Sequence, residues 1–365
     1  MTACGPFDFE TRHTDRGAED SFSALADAKY EFSPAGIVRI CADDVDEAAE
    51  QIRDWRVELT QLERGPAQVR GILVPLGNTL VGRGQCTRAL CARGAAPADS
   101  VSFLFNASDV PGRAGSLALD SSTCVLYGPG AELNNYCASG MLSVAISVAQ
   151  PKWIELQQAF RFDPACDEGR SLFLAISPQC IRSIAALVDG MCKAVEGGRG
   201  SASDARRITA FDDSFLALLS SIFNTPRKRE AGARERVGRH RAVMRAQEFI
   251  HENLGEPLSL PRICDASLAS ARTLEYGFRE LFGVSPLTYV RFERLGRVHR
   301  ELHRGYRSEA SVTDVAMRWG FWHLGQFSKE YRGLFGECPS TTLSRARYRN
   351  TGAELATTGI GPSAN

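Results

Sequence analysis

The chain has 365 residues, 44% of them hydrophobic, and a formal net charge of zero; that is length for two or three domains and enough apolar content for sizeable cores. No apolar run reaches the ~20 residues that cross a bilayer, and the polar, acidic N-terminal stretch lacks the basic-then-apolar layout of a secretory signal. The expected location is therefore cytoplasmic, with no membrane partner. The zero charge is an average: residues 225–350 hold 23 Lys and Arg against 14 Asp and Glu. An acidic front and a basic back are the arrangement of a chain whose C-terminal region meets nucleic acid.

Residues 1–30 are polar, rich in Gly and Asp and without periodicity, which predicts a disordered N-terminus. From Gly36 to about Val148 short β-branched and apolar runs (GIVRIC, WRVELTQLE, QVRGILVPLG, CTRALCA, SVSFLF, TCVLYG, MLSVAISV) alternate with Gly, Pro, Asn and Asp. That spacing predicts a sandwich or barrel of the cupin or jelly-roll kind. One acidic helix, Val45–Trp55, interrupts it, and GRGQC at Gly82–Cys86 reads as a strand bend. After Gln150 the texture becomes helical: PKWIELQQAF, then Ser177–Glu196 and Ser203–Asn224, with Ser177 and Ser203 as N-caps. These last two helices are amphipathic; they either offer a dimer face or pack on their own β-domain. The expected fold class is multi-domain α+β: an effector-binding and dimerisation domain at 31–224, a charged linker at 225–240, an all-α domain at 241–348 and a disordered tail at 349–365.

Eleven cysteines are scattered without a CxxC, the usage of buried structural thiols in a reducing compartment. The six histidines all lie outside the β-rich region, so no histidine-ligated metal centre is expected there, and no cofactor. GxSxG, GxxxxGK[ST] and GxGxxG ahead of a helix are missing, which argues against an enzyme.

The most informative feature is a repeat. RELFGVSP starts at Arg279 and RGLFGECP at Arg332, 53 residues later. At that offset Leu274 aligns with Phe327, Phe278 with Tyr331, Leu281 with Leu334 and Phe282 with Phe335, one helical face in each copy. Gly283 and Gly336 stand where a helix ends in a left-handed residue, and Pro286 and Pro339 follow. Each long helix is preceded by a short one (LPRICDA, VTDVAMRW) and a tight corner, so helix-turn-helix spacing occurs twice. Aligned at 53 throughout, Ile263 meets Ala316. Ser270 is a good N-cap for the first long helix and His323 a poorer one. PLTYVRFERLGRVHRELHRG lies between the copies, a predicted helix of ~17 residues and ~25 Å. Two readers about 34 Å apart would enter successive major-groove turns on one face of B-DNA.

This layout, with DVAMRWGF and GQFSKEYRGLFGECPS in order, resembles the DNA-binding domain of the AraC/XylS family of transcription regulators over Arg241–Tyr348. WRVELTQLERGPAQVRGILVPLGNTLVGRG with CTRALCARGAAP resembles, more loosely, the sensor domain of a subgroup that includes ethanolamine-operon regulators. The resemblance implies a DNA-binding regulator, an activator, whose front domain senses a small molecule and forms a homodimer, with double-stranded DNA and RNA polymerase as partners. The alternative is a regulator governed by a protein partner rather than a metabolite.

In a helix-turn-helix the early outward residues of the second helix face base edges. These are Ser270, Ala271, Arg272, Glu275 and Tyr276 in the first copy, and His323, Leu324, Gly325, Ser328 and Lys329 in the second. Arg272 suits a bidentate contact to guanine. Leu324 and Gly325 donate nothing from a side chain, so less discrimination is expected from the second copy. Arg279, Arg291, Arg294, Arg297 and Arg332 are candidate phosphate contacts. Trp319 and Trp322 read as core or groove-rim packing.

Overall fold

The computed structural model describes residues 37–52, 55–115, 117–160, 169–196, 210–219 except 212 and 216, 234–304 and 310–357. The front region is built from β1 (Val38–Ala42), α1 (Val45–Gln51), β2 (Arg56–Gln61), β3 (Val69–Leu76), β4 (Thr79–Cys86), β5 (Leu90–Ala95), β6 (Ser100–Asn106), β7 (Gly112–Ala114), β8 (Leu117–Ala118), β9 (Thr123–Tyr127), β10 (Glu132–Cys137), β11 (Leu142–Ala149), α2 (Gln150–Phe160), β12 (Ser171–Ala175) and α3 (Pro178–Glu196). The back region is helical: α4 (Arg234–Glu252), α5 (Leu260–Ser267), α6 (Ala271–Phe282), α7 (Pro286–His303), α8 (Val312–Arg318), α9 (Leu324–Phe335) and α10 (Pro339–Thr357).

Two antiparallel sheets form the front. One runs β1-β3-β4-β11-β6-β9-β12, the other β2-β5-β10-β7-β8. All seven residues of β6 are buried, because the larger sheet is covered on both faces. The strand's two serines are buried with it, and Ser102 Oγ lies 2.8 Å from Ser147 Oγ. On one face Ile72, Phe103, Phe105 and Ile146 meet Trp153 and Leu156 of α2 and Ile181, Ile184 and Val188 of α3. On the other, Leu104, Val125 and Tyr127 meet Ala114, Leu133 and Met141 from the direction of the smaller sheet. Each such apolar side chain, fully buried, contributes about 1.5–3 kcal/mol.

Several local expectations change. Gly82–Cys86 continues β4 without a bend; a Cβ on Gly82 would lie 2.4 Å from Leu73 Cδ2, so close packing explains that glycine. CTRALCA is divided between the end of β4 and the start of β5. Ser177 does cap α3, its Oγ accepting from Cys180 N at 3.1 Å. The apolar face of α3 is occupied by its own β-domain, together with Phe211, Phe215 and Leu219. The Ser203 cap and most of Ser203–Asn224 lie outside the described residues. The helix that follows begins at Arg234, inside the expected 225–240 linker, and α10 reaches Thr357, past the expected end at 348. Arg and Glu at 234–236, and Ala, Glu and Leu at 353–356, favour helix continuation. The nine cysteines among the described residues are free thiols; burial raises the pKa of Cys91 and Cys124.

Candidate nucleic-acid interface

The two helix pairs follow from their caps. Ser259 Oγ accepts from Arg262 N ahead of α5, and Ser270 Oγ accepts from Thr273 N at 3.2 Å ahead of α6. Ser311 and Asp314 form a reciprocal capping box on α8. His323 makes no side-chain cap bond at α9, in keeping with its chemistry. Gly283 (φ 73°) and Gly336 (φ 80°) close α6 and α9 in the left-handed region, as the octapeptides predict. Leu274, Phe278 and Leu281 of α6, and Phe327, Tyr331 and Leu334 of α9, are buried in one core with Val290, Leu295 and Val298 of α7.

The early residues of both long helices remain accessible. Ser270, Ala271, Arg272, Tyr276, His323, Gly325, Ser328 and Lys329 are exposed, and Glu275 and Leu324 are half-buried. Tyr276 lies under the Arg239 guanidinium, 4.6 Å from ring centre to Cζ. Glu275 pairs with Arg279 at 3.6 Å along the same helix.

The arginines divide. Arg332 is exposed, as are Arg279 and Arg291, although Arg291 is ion-paired with Glu330. Arg294 is turned inward: its Nε donates to Leu254 O at 3.0 Å and its Nη2 to Glu256 O. Arg297 pairs with Glu58 of β2 at 3.1 Å. Arg294 thus anchors α7 to the α4–α5 loop, and Arg297 anchors it to the β-domain. Arg272, Lys329 and Arg332 are exposed and hold no ion pair with the described residues.

Sequence reasoning missed what lies behind the heads. α7, predicted as the helix between the copies, is largely buried, and one of its faces is docked on the β-domain. His299 Nε2 is hydrogen-bonded to Asp44 Oδ2 at the start of α1, and His299 Nδ1 lies 2.6 Å from Tyr331 OH of α9. Arg300 donates to Asp46 Oδ1 (2.9 Å) and Leu59 O (3.3 Å) and pairs with Glu58 (3.2 Å). Glu293 is 2% exposed; it accepts from Thr60 Oγ1 at 3.2 Å and pairs with His251 of α4 at 3.2 Å. Burial opposes ionisation of Glu293, but the His251 charge and hydrogen bond outweigh it and bring its pKa to about 2.

The ends of both long helices touch the same body. Gln61 Nε2 donates to Leu334 O at 2.8 Å, Gly65 N to Gly333 O at 3.1 Å, and a Cβ on Gly336 would lie 3.2 Å from the Pro66 ring. At the other end Tyr136 packs edge-on against Phe282, 6.2 Å between centroids. The shared Leu, Phe and Gly of the octapeptides therefore close two helices and seat both on the β-domain.

Asp44, Asp46 and His299 bring three potential ligand atoms within 4.8 Å of one another. Screening only the histidines inside the β-rich region overlooked this group, because His299 arrives from α7. Arg300 already neutralises Asp46, and Arg345 Nη2 stands 4.0 Å from Asp44 Oδ2. The donor set is that of an ion-pair network, with cations where an ion would sit.

A helical domain with caps, terminators and two accessible helix starts, carried beside a two-sheet β-domain, has the layout of a helix-turn-helix protein. Residues 263–345 match the family model described as a helix-turn-helix domain. XylDLEGF operon transcriptional activator 2 of Pseudomonas putida is 39% identical over 100 residues, 27% of this chain and 64% of that protein. XylDLEGF operon transcriptional activator 1 of the same organism is 37% identical over 105 residues, 29% of this chain and 32% of that protein. The chain thus spans about a third to two thirds of the length of these curated relatives. A probable AraC family transcriptional regulator from Rhodopseudomonas palustris CGA009, known from its crystal structure, is 35% identical; the match covers 29% of this chain and 97% of that one, with a TM-score of 0.28. Over this C-terminal domain the chain is similar to transcription regulators; the relatives named here are regulators, not enzymes.

Proposed function

We propose that the chain is a sequence-specific DNA-binding transcription regulator that activates its targets, with 241–348 as the DNA-binding domain and 31–224 as the effector-binding and dimerisation domain. In this reading α5–α6 and α8–α9 are two helix-turn-helix heads. Ser270, Ala271, Arg272, Glu275 and Tyr276 face one major-groove segment, and His323, Leu324, Gly325, Ser328 and Lys329 face the next. Arg279, Arg291 and Arg332 meet phosphate. Arg294 and Arg297 position α7 instead. The β-domain, of the cupin-like sensor kind, responds to a small molecule, forms a homodimer and presents the DNA-bound protein to RNA polymerase. The similar P. putida proteins are named as operon activators, which favours activation.

One observation carries the reading: the helix starts that would enter the groove are exposed in both copies, while both helix ends are held by the β-domain. For the effector, a cavity of about 320 Å³ lies between the front domain and α6, lined by Asn106, Asp109, Arg113, Asp120, Tyr136 and Glu280. A ligand there would touch sensor and reader together. The test is selection of duplexes from a random library by the full chain, followed by footprinting. The expected result is two protected patches about one helical turn apart on one face. No enrichment, or a single patch, would overturn the two-head reading.

A further inference from the structure

The two helix pairs differ by one residue in the turn ahead of the reading helix. In the first pair Leu268 is the left-handed residue (φ 53°), Ala269 follows, and Ser270 is the N-cap. In the second, Gly320 is left-handed (φ 81°), and both Phe321 and Trp322 precede the N-cap His323. Phe321 is the counterpart of Ala269: Ala269 N donates to Cys264 O at 3.1 Å and Phe321 N to Ala316 O at 3.0 Å, the same five-residue closure. Trp322 is the residue added. The offset between copies is therefore 52 in the short helices, where Ile263 matches Val315, and 53 in the long ones.

Trp322 is 71% exposed, which sets aside the core alternative, whereas Trp319 is half-buried and donates its Nε1–H to Glu301 at 2.9 Å. Three residues further on, Gly325 is exposed and its φ is not in the positive range; a Cβ there would meet nothing within 4 Å. The fold does not require that glycine, and a helix is weakened by it. Such a glycine suits close approach by another molecule. The start of α9 thus has no side-chain donor at Leu324 or Gly325, open space at Gly325, and a large exposed ring one residue ahead of the cap. Leu324 and Gly325 are unsuited to bidentate hydrogen-bond readout, and the amide of Gln326 is engaged by Glu330. The helix start is suited to the one apolar mark in the major groove, the thymine 5-methyl group.

We propose that Trp322 is a specificity-determining residue of the second head: its indole packs on a thymine methyl group, Leu324 flanks it, and Gly325 gives the duplex clearance. This rests on the reading of the domain as DNA-binding. The contact makes the second head selective by shape and apolar complementarity, complementing the charged readout by Arg272 in the first.

The test uses the full chain and a duplex that the wild type enriches from a random library, with affinity read by fluorescence anisotropy. Each thymine of the half-site under the second head is replaced in turn by uracil, which removes only the methyl group. Wild type should lose roughly five- to tenfold in affinity at one such position. Trp322→Ala should bind about tenfold more weakly and be indifferent to that uracil, while Trp322→Phe keeps part of both. Gly325→Ala should bind more weakly although its melting temperature is not lowered. Trp322→Ala binding as tightly as wild type, with the same uracil sensitivity, overturns the proposal while leaving the domain a DNA binder. Failure of the wild type to enrich any duplex removes the DNA-binding reading itself.

Discussion

Asp44 and His299 lie 255 positions apart in the chain and share a buried hydrogen bond that joins the first helix of the front domain to the helix between the two reading heads. Burial works against charge on both. For Asp44 it is outweighed by the hydrogen bond and charge of His299, so the carboxyl ionises below its ordinary 3.8. For His299 it is outweighed by Asp44, with help from Asp46 and Glu337, so the imidazole holds its proton above its ordinary 6.5. His303, Arg300, Arg345 and Tyr331 complete the surroundings.

A pH dependence follows. The His299 contribution is fully present below 6.5 and is lost as pH rises through its raised pKa; the Asp44 contribution is fully present above 3.8 and is lost as pH falls through its lowered one. Docking of the two domains should be tightest between those limits. Hydrogen exchange at α1 and α7, expressed as protection relative to the intrinsic rate at about pH 6 and pH 9, should show weaker protection at the higher pH in wild type and a smaller difference in His299→Gln. Asp44→Asn should lower stability by about 3 kcal/mol. Equal pH sensitivity in wild type and His299→Gln would rule out the pair as its source.

Glu293→Ala should be more damaging than any surface change on α7. It leaves His251 and Thr60 without their buried acceptor, at a cost of about 3–5 kcal/mol, and melting of the full chain should report it. Loss of less than ~1 kcal/mol would show that the network is not needed to hold α4, α7 and β2 together.

Arg272→Ala is expected to lower specific DNA affinity by about 1–3 kcal/mol with no change in melting temperature, since Arg272 is exposed and holds no ion pair. Lys329→Ala and Arg332→Ala should each flatten the slope of log affinity against log salt by roughly 0.9. An unchanged footprint and affinity would take Arg272 out of the interface.

Leu268 has the one positive φ among the described residues other than glycine, and its side chain is 82% exposed. Leu268→Gly should stabilise the protein by about 0.5–1 kcal/mol, because glycine enters this region without the Cβ clash and no packing is lost. The contrast is Gly277→Ala, whose Cβ would lie 2.5 Å from Val243 Cγ2 on α4; that variant should be destabilised by about 1–3 kcal/mol. Both are read by thermal melting, and a reversal of either sign would contradict the packing described.

The terminators and apolar stripes of α6 and α9 were legible because local rules determine them: a left-handed glycine, a proline after it, and side chains at helical spacing. Seven β-runs were visible for the same reason. Most of β4, and β7, β8, β10 and β12, were not; ELNNYC and SLFLA are short, and their pairing partners come from elsewhere in the chain. The added residue at Trp322 escaped alignment because the longer helices dominate the match. The burial of the charges at Glu293, His299 and Arg300 was not legible because their partners, Thr60, Asp44 and Asp46, sit more than 230 positions away. Sequence spacing carries no trace of such a meeting.

α7 is both the rod between the heads and a wall of the domain boundary, and its length is fixed twice over. One residue inserted between Glu293 and Arg300 would push the second head ~1.5 Å along the axis and swing it by ~100°. The same insertion would unseat His299 and Arg300 from their carboxylates. Any lengthening of this segment therefore needs a matching change in the front domain, so the two halves of the chain are tied to change together.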